Sequence, residues 1–253
     1  NALSSRLDVE VDRGGKTHRM TFRRGEPGIF ADAGGQPSPD AEFTPFVDNS
    51  RLDVVGKVAK GRTGTRVRYW ADRQIFPQSA VFSYEELVTR ARQTSFLVPG
   101  LAIVLRDERL LPGTPGADGP IEEVFKHDGG VRDFVDFLAD DASVTDTWLL
   151  QGSGDFTETV QQLDGKGHLV AAEVVRTCEV DIALRWGIGY ETEVRSFVNI
   201  ISTPKGGSHL AGFDQALLKV LRKQIELNSR RLKLTGKNAK ERIEKDDVSA
   251  GLT

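Results

Sequence analysis

The sequence predicts an α+β fold, and three observations carry that reading. Residues 6–24 and 51–70 alternate apolar and polar side chains with period two. Two later stretches, from Ser83 up to Pro99 and 131–138, place apolar residues at helical intervals between strand-like runs. A long amphipathic helix follows a Thr-Pro-Lys-Gly-Gly turn near residue 205. Strands and helices in this order lack the regular β-α alternation of a doubly wound sheet.

Each element has its own signal. In residues 6–24, Leu7, Val9 and Val11 fall on one face, and Gly14-Gly15 supply the positive φ of a tight hairpin turn. Residues 25–50, rich in Gly, Pro, Asp and Ser, read as a long loop that packs little. A second strand pair is expected in 51–70, where Thr65, Val67 and Tyr69 alternate with Arg66 and Arg68. Ser83 and Glu86 have the capping-box spacing, and Tyr84, Leu87, Val88 and Ala91 recur at helical intervals until Pro99-Gly100. A strand resumes in LAIVLRDER. The Gly/Pro-rich segment 110–122 is then expected, with 25–50, to be the most mobile internal region.

Gly129-Gly130 lead into a helix carrying Val131, Phe134, Val135 and Leu138. Val180, Ile182, Leu184 and Trp186 alternate with polar residues as a half-buried strand, and Cys178 in the same pattern is expected to be inert core. The run SFVNIIS, apolar on both faces, reads as a central strand. The last helix should turn Leu210, Phe213, Leu217, Val220 and Leu221 inward and Lys219, Arg222 and Lys223 outward. No internal repeat is present.

Composition narrows the function classes. The chain has 253 residues, room for one large domain or two small ones, with 38% hydrophobic and 28% charged residues as in soluble globular proteins. No apolar run approaches the roughly 18 residues of a membrane span. A single cysteine excludes an internal disulfide framework and suits a reducing cytoplasm. His18, His127, His168 and His209 show no zinc-type spacing, so no metal site is expected. The net charge of −3 argues against a uniformly basic nucleic-acid protein, yet residues 219–245 hold ten Lys or Arg against three Glu. The start at NALSSRL, without methionine, and the end at DDVSAGLT read as the limits of a piece of something longer.

The stretch STPKGGSHLAGFDQALLKVLRK raises the question of a phosphate loop. A Walker loop needs lysine directly after its last glycine so that the ammonium reaches the β- and γ-phosphates. Here Lys205 precedes Gly206-Gly207, and the first glycine of the motif is missing. The glycines are expected to turn the chain into the helix, with Ser208 as its cap.

Five segments in one order, GRTGTRVRYWAD, RARQTSFLVPGLAIVLRDER, FKHDGGVRDFVDFL, VDIALRW and GYETEVRSFVNIISTPKGGSHLAGFDQALLKVL, carry a resemblance to a known family. The chain resembles the B subunits of bacterial type IIA DNA topoisomerases, DNA gyrase and topoisomerase IV. The resemblance implies that residues 1–78 are the closing strands of a GHKL ATPase domain. It implies that residues 79–253 are most of a transducer domain of the ribosomal-protein-domain type with a left-handed βαβ crossover, against the usual handedness. The glycine turn before Ser208 would then be structural.

The resemblance implies an ATP-driven enzyme that uses Mg2+, acts on double-stranded DNA and assembles with a topoisomerase A subunit as A2B2. A second B subunit joins on ATP binding. The motifs that carry the general base, the metal ligand, the adenine aspartate, the glycine lid and the γ-phosphate lysine have no counterpart among these residues, so the chain alone is expected to be inactive and to hold no catalytic residue. Thr65 matches a threonine that helps bind adenine, and Arg13 matches an arginine at the pocket rim. Lys219, Arg222 and Lys223 are the candidate DNA contacts, with Asp214 standing where some members carry arginine. Tyr69, Tyr84 and Tyr190 are expected to pack, because cleavage in the family uses a tyrosine of the A subunit. Gyrase and topoisomerase IV remain alternatives, and an autonomous DNA-binding or dimer-contact module without enzymatic activity is the reading from another class.

Overall fold

The structure, a computed structural model, describes residues 1–32, 35–48, 50–109, 121–232 and 243–253. It divides into two compact units, Asn1–Phe82 and Ser83–Thr253.

The first unit is an antiparallel sheet. β1 (Ser4–Arg13), β2 (Lys16–Arg23), β3 (Glu26–Phe30), β4 (Phe43–Pro45), β5 (Asp53–Lys57) and β6 (Gly64–Ala71) follow in chain order. The spatial order is β4-β3-β2-β1-β6, and β5 shares the outer edge of β2 with β3. The Gly14-Gly15 hairpin forms as the sequence predicts, with φ of 61° and 81° at the two glycines. Two expectations are corrected. Segment 25–50 is no bare loop, since it contributes β3 and β4 and buries Phe30 against Phe43 at 4.8 Å. The strands in 51–70 do not pair with each other, because β5 joins β2 and β6 joins β1.

The buried face of this sheet is the charged one. Register places Arg6, Asp8 and Glu10 of β1 beside Trp70, Arg68 and Arg66 of β6, and Thr21 and Arg19 of β2. Arg6, Asp8, Thr21 and Phe30 are buried here. The opposite face carries Leu7, Val9 and Val11 with Val67, Tyr69, Met20 and Phe22, all of them partly or fully exposed, Val67 to 60%.

The second unit opens with α1 (Tyr84–Leu97), whose N-cap Ser83 accepts a hydrogen bond from Glu86 N–H at 3.3 Å. Val98 caps its other end before Pro99-Gly100, with φ of 82° at Gly100. β7 (Ile103–Asp107) pairs with β8 (Ile121–Phe125), and the segment expected to be mobile between them lies, over 110–120, outside the described residues. α2 (Val131–Leu138) follows Gly130 at φ 62°. Phe96, 2% exposed, anchors this region. Its ring stacks on His127 and on Phe134, with centroids 3.6 and 4.8 Å away, and Phe137 closes a third side at 5.5 Å.

β9 (Trp148–Leu163) and β10 (Leu169–Leu184) form a regular ribbon of sixteen residue pairs, from Trp148–Leu184 to Leu163–Leu169. Cys178 is exposed on it, opposite Gly154, so it is not core. SFVNIIS is also not a central strand. Asn199, at φ 55°, reverses the chain there, and β11 (Phe197–Val198) pairs only with β12 (Ile201–Ser202). α3 (Ser208–Leu227) is capped by Gly207 rather than by the Ser208 side chain, and α4 (Lys245–Ser249) lies against it. The chain end is fixed by paired hydrogen bonds between Arg185 and Thr253, each 3.0 Å. Beside them Asp141 accepts from Gly189 N–H at 2.8 Å and from Arg185 at 3.1 Å, which together hold its carboxyl below the usual range.

Candidate functional site

In the first unit the structure brings Arg13 and Thr65 to one face. Thr65 pairs with Val11 across β1 and β6, and Arg13 lies two residues further along β1, so both share the face of Val9 and Val67. Both are exposed, Thr65 at the start of β6 and Arg13 at the mouth of the Gly14-Gly15 turn. The open surface beside them is apolar over Val9, Val67 and Met20, and Lys16, His18 and Tyr69 share that face with Thr65 and Arg13.

The charged face behind it is already satisfied. Arg6 grips Asp8 with two hydrogen bonds, at 2.8 and 2.9 Å, reaches Asp32 at 2.5 Å and donates to the Ser38 carbonyl at 2.7 Å. Its guanidinium lies 4.0 Å from the centre of Phe30. Burial works against that charge, but the two carboxylates overcome it and raise the Arg6 pKa. Asp32 is lowered chiefly by Arg6. Glu10 is lowered in turn, burial being outweighed by Arg19 at 2.5 Å and Arg66 at 2.5 Å. An open depression of about 930 Å³ lies over these residues. Its deep charges are spent on one another, so it reads as the structural side of the sheet.

In the second unit the three candidate DNA contacts separate. Lys219 and Lys223, one helical turn apart on α3, are exposed and have no ion-pair partner among the described residues. Arg222 instead folds back, donating to the Ile243 carbonyl from Nε at 2.8 Å and lying 3.5 Å from Glu244. Asp214 is paired with Lys245 at 2.6 Å. Leu210, Phe213, Leu217 and Leu221 are half-buried, whereas Val220 is 55% exposed rather than turned inward. Residues 233–242 of the basic stretch lie outside the described residues.

The tyrosines divide as well. The Tyr84 hydroxyl donates to Glu123 at 2.8 Å, and burial with that carboxylate pushes its pKa up to about 12. Tyr190, expected to pack, is 89% exposed. No group of three or more His, Cys, Asp or Glu that could hold a metal ion occurs among the described residues. No helix among them is long and apolar enough to cross a membrane.

The sequence pattern of residues 180–184 marks only the end of β10, and β9 with the rest of the ribbon was not expected. Its signal was present in the alternation of WLLQGSGDFTETVQQL and in the Asp164-Gly165-Lys166-Gly167 turn before Leu169.

Residues 130–253 match the family described as DNA gyrase B. The gyrase B subunit of Treponema denticola is 29% identical over the whole chain, and that of Streptococcus pyogenes serotype M3 is 31% identical over the whole chain. The chain spans about a third of each of these relatives, 32% and 31% of their lengths. The 43K ATPase domain of Thermus thermophilus gyrase B, solved with an aminocoumarin, superposes on 99% of the chain with a TM-score of 0.66 at 27% identity, over 54% of its own length. The mixed helix and antiparallel-sheet architecture therefore resembles that of a gyrase B ATPase structure, and the chain is similar along its whole length to the B subunits of DNA gyrase.

Proposed function

We propose that these residues are the part of an ATP-dependent type II DNA topoisomerase B subunit that couples nucleotide binding and hydrolysis to strand passage. The observation that carries this is the similarity across both units at once to gyrase B subunits and to one gyrase B ATPase structure. Residues 1–78 are read as the closing strands of the GHKL ATPase domain. Residues 79–253 are read as most of the transducer, with its left-handed βαβ crossover.

On this reading Thr65 and Arg13 belong to the nucleotide side of the sheet. A hydroxyl that both donates and accepts suits a purine edge, and the neighbouring valines suit its faces. The residues present fit the base of ATP. The described residues include no set that would hold Mg2+, so no step is assigned to the metal. Lys219 and Lys223 would meet phosphates of a transported duplex without sequence preference, with Arg222 holding the segment beside them. The partners are double-stranded DNA, an A subunit in an A2B2 assembly, and a second B subunit when ATP binds. The compartment is the cytoplasm.

The test is topological. The intact protein with its A subunit should change the linking number of closed circular DNA only when ATP is present. Thr65→Ala should raise the KM for ATP by roughly three- to tenfold, as the loss of one hydrogen bond implies. An ATP-independent product, or none with any A subunit, defeats the reading. The 253-residue chain alone should show no ATP turnover, and activity that follows it through purification would contradict this.

A further inference from the structure

The β9–β10 ribbon has two unlike faces. Alternation and register place Trp148, Leu150, Phe156, Val160 and Ile182 on one of them. The other carries Asp155, Glu173, Glu179 and Asp181, all exposed, with exposed Val175 between Glu173 and Glu179 along β10. None of these four carboxylates has a cationic partner among the described residues; Thr177 and Gln151 satisfy Asp155 and Asp181 only by neutral hydrogen bonds. Across residues 148–184 there are six Asp or Glu against Lys166 and Arg176.

The complement of this face is on the same chain. Residues 219–232 hold five Lys or Arg against Glu226 alone. Lys219 and Lys223 project from α3 with exposed Val220 beside them. The spacings agree: alternate residues of a strand repeat at about 6.8 Å on one face, and residues four apart on a helix at about 6 Å. Glu179 and Asp181 are therefore opposite to Lys219 and Lys223 in sign and match them in repeat, and Val175 matches Val220 in character. Within one chain neither stripe finds the other.

We propose that a second copy of this chain supplies the missing partner: the acidic face of β10 in one copy docks on the Lys219–Lys223 face of α3 in the other, reciprocally. A two-fold pair makes the contact twice, as an isologous interface does. The interface is polar, small and governed by charge, so the dimer is weak and dissolves with salt. Because it uses the same two lysines, it closes them to DNA while it lasts. The proposal stands on self-association alone and survives failure of the DNA reading.

The experiment is sedimentation equilibrium of the 253-residue chain at up to about 200 μM, a range suited to a weak contact. At 20 mM salt the mean mass should rise from monomer toward dimer. By 500 mM, where screening acts within roughly 4 Å, it should return to monomer. Two charge-reversed variants, Glu179→Lys with Asp181→Lys, and Lys219→Glu with Lys223→Glu, should each remain monomeric at low salt. Mixed one to one, they should associate again, because each arm then meets a helix of opposite sign. All four positions are exposed, and circular dichroism should confirm that both variants fold like the parent. A parent that stays monomeric at low salt overturns the proposal and leaves these faces to other partners. Variants that still dimerise alone, or fail to associate when mixed, overturn it equally.

Discussion

Lys245 Nζ lies 2.6 Å from Oδ2 of Asp214. The carboxylate that would repel a phosphate beside α3 is thus neutralised by a cation from the start of α4. The local field around Lys219 and Lys223 is more positive than the residue types along the helix suggest.

DNA binding by the chain should follow those two lysines. Lys219→Ala with Lys223→Ala should flatten the slope of log affinity against log salt by up to about 1.8, two phosphates at about 0.9 each. Arg222→Ala should leave that slope nearly unchanged and lower the melting temperature instead, since its guanidinium is spent on Ile243 and Glu244. Filter-binding titrations across salt separate the cases, and equal slopes for parent and double variant would falsify the phosphate role.

Arg6 is the most exacting charge in the first unit, with a side chain only 4% exposed and two carboxylates on it. Arg6→Ala strands Asp8 and Asp32 and should cost about 3–5 kcal/mol, as removal of one partner of a buried pair does. Urea unfolding followed by tryptophan fluorescence measures it. A loss below about 1 kcal/mol would mean that the pair contributes no more than a surface ion pair.

Acid should weaken the same sheet. Asp32 and Glu10 titrate below their ordinary values of 3.8 and 4.5, so each contributes stability that is complete above those values. That contribution is lost as the pH falls below about 4.5 and through the lowered native pKa values. Asp32→Asn should make the first unit less stable at pH 7 and flatten its acid dependence. Melting curves from pH 7 to pH 2.5 are the check, and an unchanged slope in the variant would exclude Asp32 as a source.

Phe96 holds the aromatic cluster of the second unit. Phe96→Ala should destabilise it by about 3–5 kcal/mol, while Phe96→Leu should cost less because it refills most of the volume. Calorimetry on both variants reads the difference. Similar losses for the two would point to lost ring stacking rather than to a cavity.

Local chemistry was legible wherever it determined the backbone. The Gly14-Gly15 turn, the Ser83 cap and the α2 helix all follow from residues within four positions of one another. Part of what failed depended on distant partners, while the turn at Asn199 and the cap at Gly207 are local. Periodicity identified the strands of residues 51–70, but nothing local says that Asp53–Lys57 seeks β2 rather than Gly64–Ala71. SFVNIIS has the composition of a buried strand, yet Asn199 turns the chain inside it and leaves Ile200 and Ile201 exposed. Cys178 misled for the same reason, since an alternating pattern reports which residues share a face and not whether that face is covered. Among the candidate site residues, Arg13 and Thr65 were named from motif resemblance. Their common face became visible only through the pairing of β1 with β6, and the turning away of Arg222 only through Ile243.

The hydrogen bonds between Arg185 and Thr253 join residues roughly 70 positions apart, and ordering so long a loop is entropically costly. The β9–β10 ribbon needs no such closure, because its pairing spreads outward from a short turn at Asp164–Gly167. The second unit should therefore fold with an early event and a late one, the hairpin zipping within microseconds and the pairing of Arg185 with Thr253 following it.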